Sequence, residues 1–234
     1  MKKVIAVLLM AVMLTCLCSC GVSTEDKYNN AAANVKAGNM VTFGTYPQTK
    51  AGNDNTPIEW LVLARDGDKA LVISRYALDC VQYNTKLTDV TWETCSLHSW
   101  LNNDFYNKAF SAEEKQNIVP SKVTADKNLS YSTNPGNDTN DNVFLLSISE
   151  VNKYFKDNAS RVCAPTDYAV KNGACIYGSY KEDGRACCWW WLRSPGKSSN
   201  YAASVSLGGS VYDYGDFVDN GYFCLRPCVW VRLF

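Results

Sequence analysis

Between residues 40 and 76 the chain alternates and clusters its apolar residues as strands do. "MVTFGTYPQ" alternates and stops at Pro47, which lacks a backbone donor and so ends a strand. "IEWLVLAR" and "KALVISRY" flank Asp66-Gly67-Asp68, a turn of the kind that closes hairpins. A β-meander is therefore expected at the start of the domain. The period then changes: Leu97, Trp100, Leu101 and Phe105 fall at helical spacing after Thr91. Ser111-x-x-Glu114 and Ser147-x-x-Glu150 are capping-box patterns that predict two helix starts. Between them, "TADKNLSYSTNPGNDTNDN" has no apolar rhythm and predicts an exposed loop. The last third returns to strands, with turns at Ser194-Pro195-Gly196, Gly208-Gly209 and Asp219-Asn220-Gly221. Strands entering and leaving around a helical middle predict an α+β fold with a mixed or antiparallel sheet and packed helices, not a doubly wound array. Trp60, Trp100, Trp190 and Trp230 are its expected core aromatics.

The first residues read as a targeting segment. Lys2 and Lys3 precede an apolar run from Val4 to Leu14, too short to span a bilayer comfortably. Leu17-Cys18-Ser19-Cys20-Gly21 then resembles a bacterial lipobox. The resemblance implies that residues 1–19 are a signal peptide, that cleavage precedes Cys20, and that its thiol carries the lipid. A plain signal peptide is the alternative. Residues 20–38 are small and polar and read as a flexible tether, leaving 39–234 as one domain. The expected location is the cell surface, with the membrane reached through the lipid anchor only.

Composition narrows the chemistry. Lysine plus arginine equals aspartate plus glutamate at 23 each, so no net field favours nucleic acid. Hydrophobic residues make up 47% of the chain, enough for a core without a structural metal. Of 11 cysteines, Cys16, Cys18 and Cys20 fall in the leader, while Cys80, Cys95, Cys163, Cys175, Cys187, Cys188, Cys224 and Cys228 fall in the body. That even number permits disulfides outside the cytosol. A zinc cage is disfavoured, because no Cys-x-x-Cys pair exists and His98 is the sole histidine. The same shortage argues against a Ser-His-Asp triad, and no glycine-rich phosphate loop or glycosidase carboxylate pair stands out. An enzyme is thus the weaker expectation, and no cofactor is called for. Two openings remain: calcium at the Asn/Asp-rich loop, and thiol chemistry at Cys224 and Cys228 near Arg226.

"SSNYAASVSLGGSVYDYGDFVDNGYF" is different in kind. Asn200, Tyr201, Tyr212, Asp213, Tyr214, Asp216, Phe217, Asp219, Asn220 and Tyr222 crowd its turns and strand ends, with Phe223 closing the run. Tyrosine, asparagine, serine and aspartate on loops make adaptable recognition surfaces, because rigid rings supply contact area at small entropic cost. These ten residues are the candidate ligand-binding set, with the aromatics as anchors and the Asn and Asp side chains as hydrogen-bonding partners. An ordinary antiparallel sheet with half-buried tyrosines is the plainer reading of the same pattern. The expected partner is an extracellular protein or glycan.

The ordered set "FGTYPQ", "IEWLVL", "ALVISRYALDC", "WLNNDFYNKAF", "VFLLSISEVNKYF", "PTDYAVKNGA", "WWLRSPG" and "LRPCVWVRL" resembles a widespread, functionally uncharacterised domain of exported bacterial proteins. That domain is similar to the C-type-lectin-like fold in the variant shared with formylglycine-generating enzymes. The resemblance implies that a tryptophan-arginine segment and a closing Arg-Pro strand bracket a ligand face. Here Cys224-Leu225 replaces the family's usual Gly-Val, Cys228 stands where it has alanine, and His98 stands where it commonly has arginine. The two cysteines imply either a local bridge or a site near the copper-binding thiols of those enzymes, whose remaining active site is not recognisable. The Tyr, Asn and Asp mixture from Asn200 to Phe223 also resembles the variable region of proteins rewritten by diversity-generating retroelements. Three function classes stay open at this point: a binding protein, a cysteine or copper oxidase, and a structural envelope protein.

Overall fold

The computed structural model describes residues 35–233; the leader, Cys20 and the tether as far as residue 34 lie outside them. The domain is α+β, with two antiparallel-rich sheets and short helices. Strands β1 (Met40–Tyr46), β2 (Thr56–Asp66) and β3 (Lys69–Ser74) form the expected meander, and β13 (Cys228–Arg232) pairs antiparallel with β3, giving the order β1-β2-β3-β13. The second sheet has the order β11-β10-β9-β12-β4, from β11 (Val211–Phe217), β10 (Tyr201–Val205), β9 (Trp190–Pro195), β12 (Cys224–Leu225) and β4 (Asp79–Cys80). Only the β12–β9 contact in it is parallel. Two hairpins stand apart: β5 (Ser121–Val123) with β6 (Thr139–Asp141), and β7 (Ile176–Glu182) with β8 (Arg185–Cys188).

The helical middle follows its caps. Helix α1 (Ser96–Trp100) passes through a π-helical turn at Leu101–Phe105 into α2 (Tyr106–Ala109). Leu97, Leu101 and Phe105 are buried, as their spacing requires. The Asn102 side chain donates to the Val143 carbonyl (2.9 Å) and accepts from Asn142 N–H (2.9 Å), clamping the segment beyond β6. Both predicted capping boxes form, Ser111 with Glu114 at the start of α3 (Ala112–Asn117) and Ser147 with Glu150 at the start of α4 (Ile148–Tyr154). Short helices α5 (Asn158–Arg161) and α6 (Asp167–Lys171) complete the set.

Trp60 and Trp190 are fully buried, whereas Trp100 and Trp230 pack partly exposed against the core. Phe43, Trp60 and Phe110 stack within the first sheet's inner layer at centroid distances of 4.9 and 5.6 Å, and the Trp60 indole donates to the Phe43 carbonyl (2.8 Å). Val35 is buried and Gly38 N–H donates to the Val62 carbonyl (2.8 Å), so packing begins inside the last residues assigned to the tether.

The polar segment 124–142 is largely the exposed loop expected, with two buried exceptions. It ends in β6, and Asn128 and Asp141 are buried at 2% and 1% exposure. Both are satisfied: the Asn128 amide donates to the Pro195 and Asp213 carbonyls (2.9 and 2.7 Å), and Asp141 accepts from the Trp92 indole (2.9 Å) and meets His98 Nε2 at 2.7 Å. Burial of polar groups depends on such partners, which lie far away in sequence. Polarity alone therefore mispredicts it.

Arg193, in the middle of β9, is 3% exposed. Its guanidinium donates to the carbonyls of Leu145 (2.8 Å) and Thr124 (3.2 Å) and pairs with Glu150 and Asp126. It fastens the sheet to the start of α4. Removing it takes their donor from the Leu145 and Thr124 carbonyls and their counter-ion from two part-exposed carboxylates. Arg193→Met is expected to cost about 1–3 kcal/mol in urea unfolding. Arg185→Ala, at the exposed pair with Asp167, is expected to cost under about 1 kcal/mol.

Candidate functional site

Strand β11 is the edge of the second sheet, and its register against β10 slips: Ser204 faces Tyr212, but Ala202 faces Asp216. Gly215 sits in this bulge at φ +74°, and a Cβ there would lie 2.4 Å from the Ala202 carbonyl oxygen. The bulge holds two more residues on β11 than on β10, so alternation resumes in phase beyond it, and both Tyr214 and Phe217 come against Tyr201. As a result the rings connect without a break: Tyr212 to Tyr214 (6.0 Å), Tyr214 to Tyr201 (5.9 Å) and Tyr201 to Phe217 (4.4 Å).

The row extends on the other side through Trp189, which meets Tyr212 and Phe223 edge-on at 5.7 Å each, and through Phe223, which stacks with Trp191 (4.0 Å) and Tyr222 (5.0 Å). Buried Phe223, stacked on buried Trp191, supports Trp189 and Tyr222, while Tyr212, Tyr214, Phe217 and Tyr222 are 39–42% exposed. That support fixes Tyr222 and Trp189 before any ligand arrives. Lys197 lies over the rings of Tyr201 (4.3 Å) and Tyr214 (4.0 Å) and bonds the Tyr214 hydroxyl, which holds its ammonium above the usual lysine range. The Tyr222 phenol is likewise raised, by partial burial and by Asp216.

The polar members of the predicted set are placed differently from the rings. Asp216 accepts from Phe217 N–H (2.7 Å), from the Asn220 amide (3.3 Å) and from the Tyr222 hydroxyl (3.4 Å). Asn200 accepts from Ser198 Oγ through its side chain (2.9 Å) and from Val218 N–H through its carbonyl (3.1 Å). Asp213 accepts from Ser130, and the Asp219 carbonyl accepts from Gln82. These groups hold turns, and the rings they position are what the surface offers. All ten predicted residues nevertheless fall on β10, β11 and the flanking turns.

Sequence reasoning missed several neighbours. Tyr131, from the polar segment, meets Tyr214 edge-on at 6.2 Å, and no periodicity marks it. Tyr177 and Tyr180, 61% and 48% exposed on β7, extend the aromatic surface toward the β10–β11 turn, where a Cβ on Gly208 would lie 2.8 Å from the Tyr180 ring. Trp189 did carry a signal: as the first of three tryptophans it takes the rim, and Trp190 and Trp191 take the core.

The thiols correct one expectation. The eight cysteines of the body are all free, and no Cys224–Cys228 bridge forms. Cys224 lies in the second sheet opposite Cys80, whereas Cys228 opens β13 in the first sheet opposite Ile73. Two residues of extended chain carry them into different sheets. In the Asn/Asp-rich segment, Asp126 accepts from Ser147 and Ser149, Asp138 pairs with Lys122 (2.9 Å), and no group of three or more His, Cys, Asp or Glu residues arranged for a metal occurs among the described residues.

An α+β domain with a preorganised aromatic edge is the class that fold and site define. By sequence, the chain belongs to the DUF6273 family, a domain of unknown function, whose profile matches residues 67–233. No curated protein and no solved structure matches it.

Because Gly215 has positive φ and its backbone closes on Ala202, Gly215→Ala is expected to destabilise the domain by about 1–3 kcal/mol. It should also shift the Tyr201 and Phe217 ring resonances in an NMR spectrum while leaving those of Phe43 and Trp60 in place. Unchanged stability and spectra would show that the bulge does not set the face.

Proposed function

We propose that this chain is a cell-surface lipoprotein, anchored through lipid on Cys20, whose C-type-lectin-like domain binds an extracellular protein or glycan through the aromatic edge of its second sheet. The observation that carries this reading is the connected run of rings from Tyr222 through Phe223, Trp189, Tyr212, Tyr214 and Tyr201 to Phe217, of which Tyr212, Tyr214, Phe217 and Tyr222 are 39–42% exposed. Exposed contiguous aromatics on a folded surface mark interaction sites, since a solvated sheet gains nothing from them. Tyr201, Tyr212, Tyr214, Phe217 and Tyr222 act as anchors. Asn200, Asp213, Asp216, Asp219 and Asn220 shape the turns and offer their remaining hydrogen-bonding capacity to a ligand. The Tyr, Asn and Asp mixture in this segment also supports diversification by a retroelement, with the scaffold of β9, β12 and β13 held constant. The placement of Cys224 and Cys228 in different sheets, both as free thiols, weighs against a cysteine oxidase built on that pair.

Purified protein applied to arrays of glycans and extracellular proteins should bind a restricted set of them. Tyr214→Ala is expected to weaken that binding by about 1–3 kcal/mol, with thermal unfolding unchanged. Equal binding by parent and variant would misplace the face. Labelled palmitate should enter the parent in growing cells and be absent from Cys20→Ser; label retained in the variant would remove the anchor.

A further inference from the structure

Four thiols from distant parts of the sequence meet beneath the aromatic face. Cys80 and Cys224 are direct cross-strand partners on β4 and β12. Cys224 interacts electrostatically with both Cys80 and Cys188, and Cys188 in turn with Cys163, while Cys188 Sγ donates to the Cys163 carbonyl (3.4 Å). Cys188 N–H also donates to the Cys163 carbonyl (2.9 Å), fixing the inner end of the row. Exposure falls along it, from 8% at Cys80 to 0% at Cys224, Cys188 and Cys163. The outer end lies directly under the ligand face, with Cys80 Sγ 3.2 and 3.1 Å from the carbonyls of Gly221 and Phe223.

We propose that Cys80 and Cys224 are an oxidisable pair that closes a reversible cross-strand disulfide beneath the Gly221–Phe223 turn, with Cys188 placed behind Cys224 to exchange with it. Directly paired residues on neighbouring strands have Cα atoms about 4.5–5.5 Å apart, inside the window a disulfide spans. Buried cysteine more often serves as a small apolar residue. Here, however, Cys80 and Cys224 lie directly opposite each other on paired strands, and Cys224 N–H donates to the Trp189 carbonyl (2.9 Å), which sets Cys188 close behind it. Burial pushes Cys224 and Cys163 well above the ordinary thiol range. Burial opposes ionisation of Cys188 as well, but hydrogen bonds from Cys163 and Cys224, together with the Arg226 guanidinium, bring it below that range. The row thus has an outer entry and an inner nucleophile.

The chemistry balances with a disulfide as oxidant. Cys80 loses its proton and attacks one sulfur of glutathione disulfide, expelling a glutathione thiolate that takes up that proton. Cys224 loses its proton and attacks the Cys80 sulfur of the mixed disulfide, expelling the second glutathione as a thiol. Two protein thiols have given up two electrons and two protons, and one glutathione disulfide has become two thiols. Attack of the Cys188 thiolate on Cys224 then expels Cys80 and moves the bond inward without net oxidation.

The full chain equilibrated in glutathione buffers of increasing oxidising ratio, quenched with an alkylating agent and digested, reads the pairing by mass spectrometry. The expected first product has two thiols fewer and a peptide bearing Cys80 joined to one bearing Cys224. Cys163→Ser should leave that link unchanged. In Cys80→Ser, whose altered side chain lies at the outer end of the row, the link should move to Cys188–Cys224. The proposal is overturned if all eight body thiols stay free throughout, or if the first link in the parent omits Cys80 or Cys224.

Discussion

The shorter of the two chain crossings between the sheets is two residues long. Arg226-Pro227 carries the chain from β12 in the second sheet to β13 in the first, with no room for a loop between them. Arg226 is 3% exposed, and two of its three guanidinium nitrogens find hydrogen-bond partners there while Nη1 has none. It donates to the carbonyls of Ser74 (3.0 Å) and Arg75 (3.3 Å), where β3 ends, and lies against the rings of Trp190 (5.2 Å) and Phe155 (5.5 Å). Ser74 N–H completes the joint by donating to the Pro227 carbonyl (3.0 Å). The meander, the central tryptophan strand and α4 thus meet at one cation. Its charge also reaches Cys163, Cys188 and Glu182, so the same joint sets the electrostatics of the thiol row.

That joint leaves β11 as the free margin of the second sheet. Exposed strand edges invite pairing with other chains. Asn128 and Ser130 cover part of this one by bonding the Asp213 carbonyl and carboxylate, and the bulge at Gly215 bends what remains. Main-chain addition of a ligand strand is thereby discouraged, and side-chain recognition is favoured. The carboxylates and amides that would otherwise solvate the surface are drawn into the turns, which leaves rings as the accessible chemistry.

Much of this was legible in the sequence because it rests on local rules. The meander followed from alternation and the Asp66-Gly67-Asp68 turn, and both capping boxes formed as their spacing requires. The candidate set was legible because its composition suits neither a core nor a plain solvated face. What escaped was non-local. The burial of Asn128 and Asp141 depends on Pro195, Asp213, Trp92 and His98, distant in sequence. Tyr131 joins the face from the same segment, three residues beyond the buried Asn128. The continuity of the rings required a two-residue slip at Gly215, which no hydrophobic period encodes. Cysteine spacing suggested a bridge between Cys224 and Cys228, but the sheet crossing at Arg226-Pro227 separates them and sets Cys224 against Cys80 instead.

The claim that ligands meet the aromatic edge is tested most directly by photocrosslinking from the surface itself. A benzophenone amino acid at position 212 or 222 of the chain in growing cells should trap partners on irradiation, whereas the same group at position 50, in the β1–β2 turn of the first sheet, should trap none of them. Identical adducts from all three positions, or adducts from position 50 alone, would contradict the account.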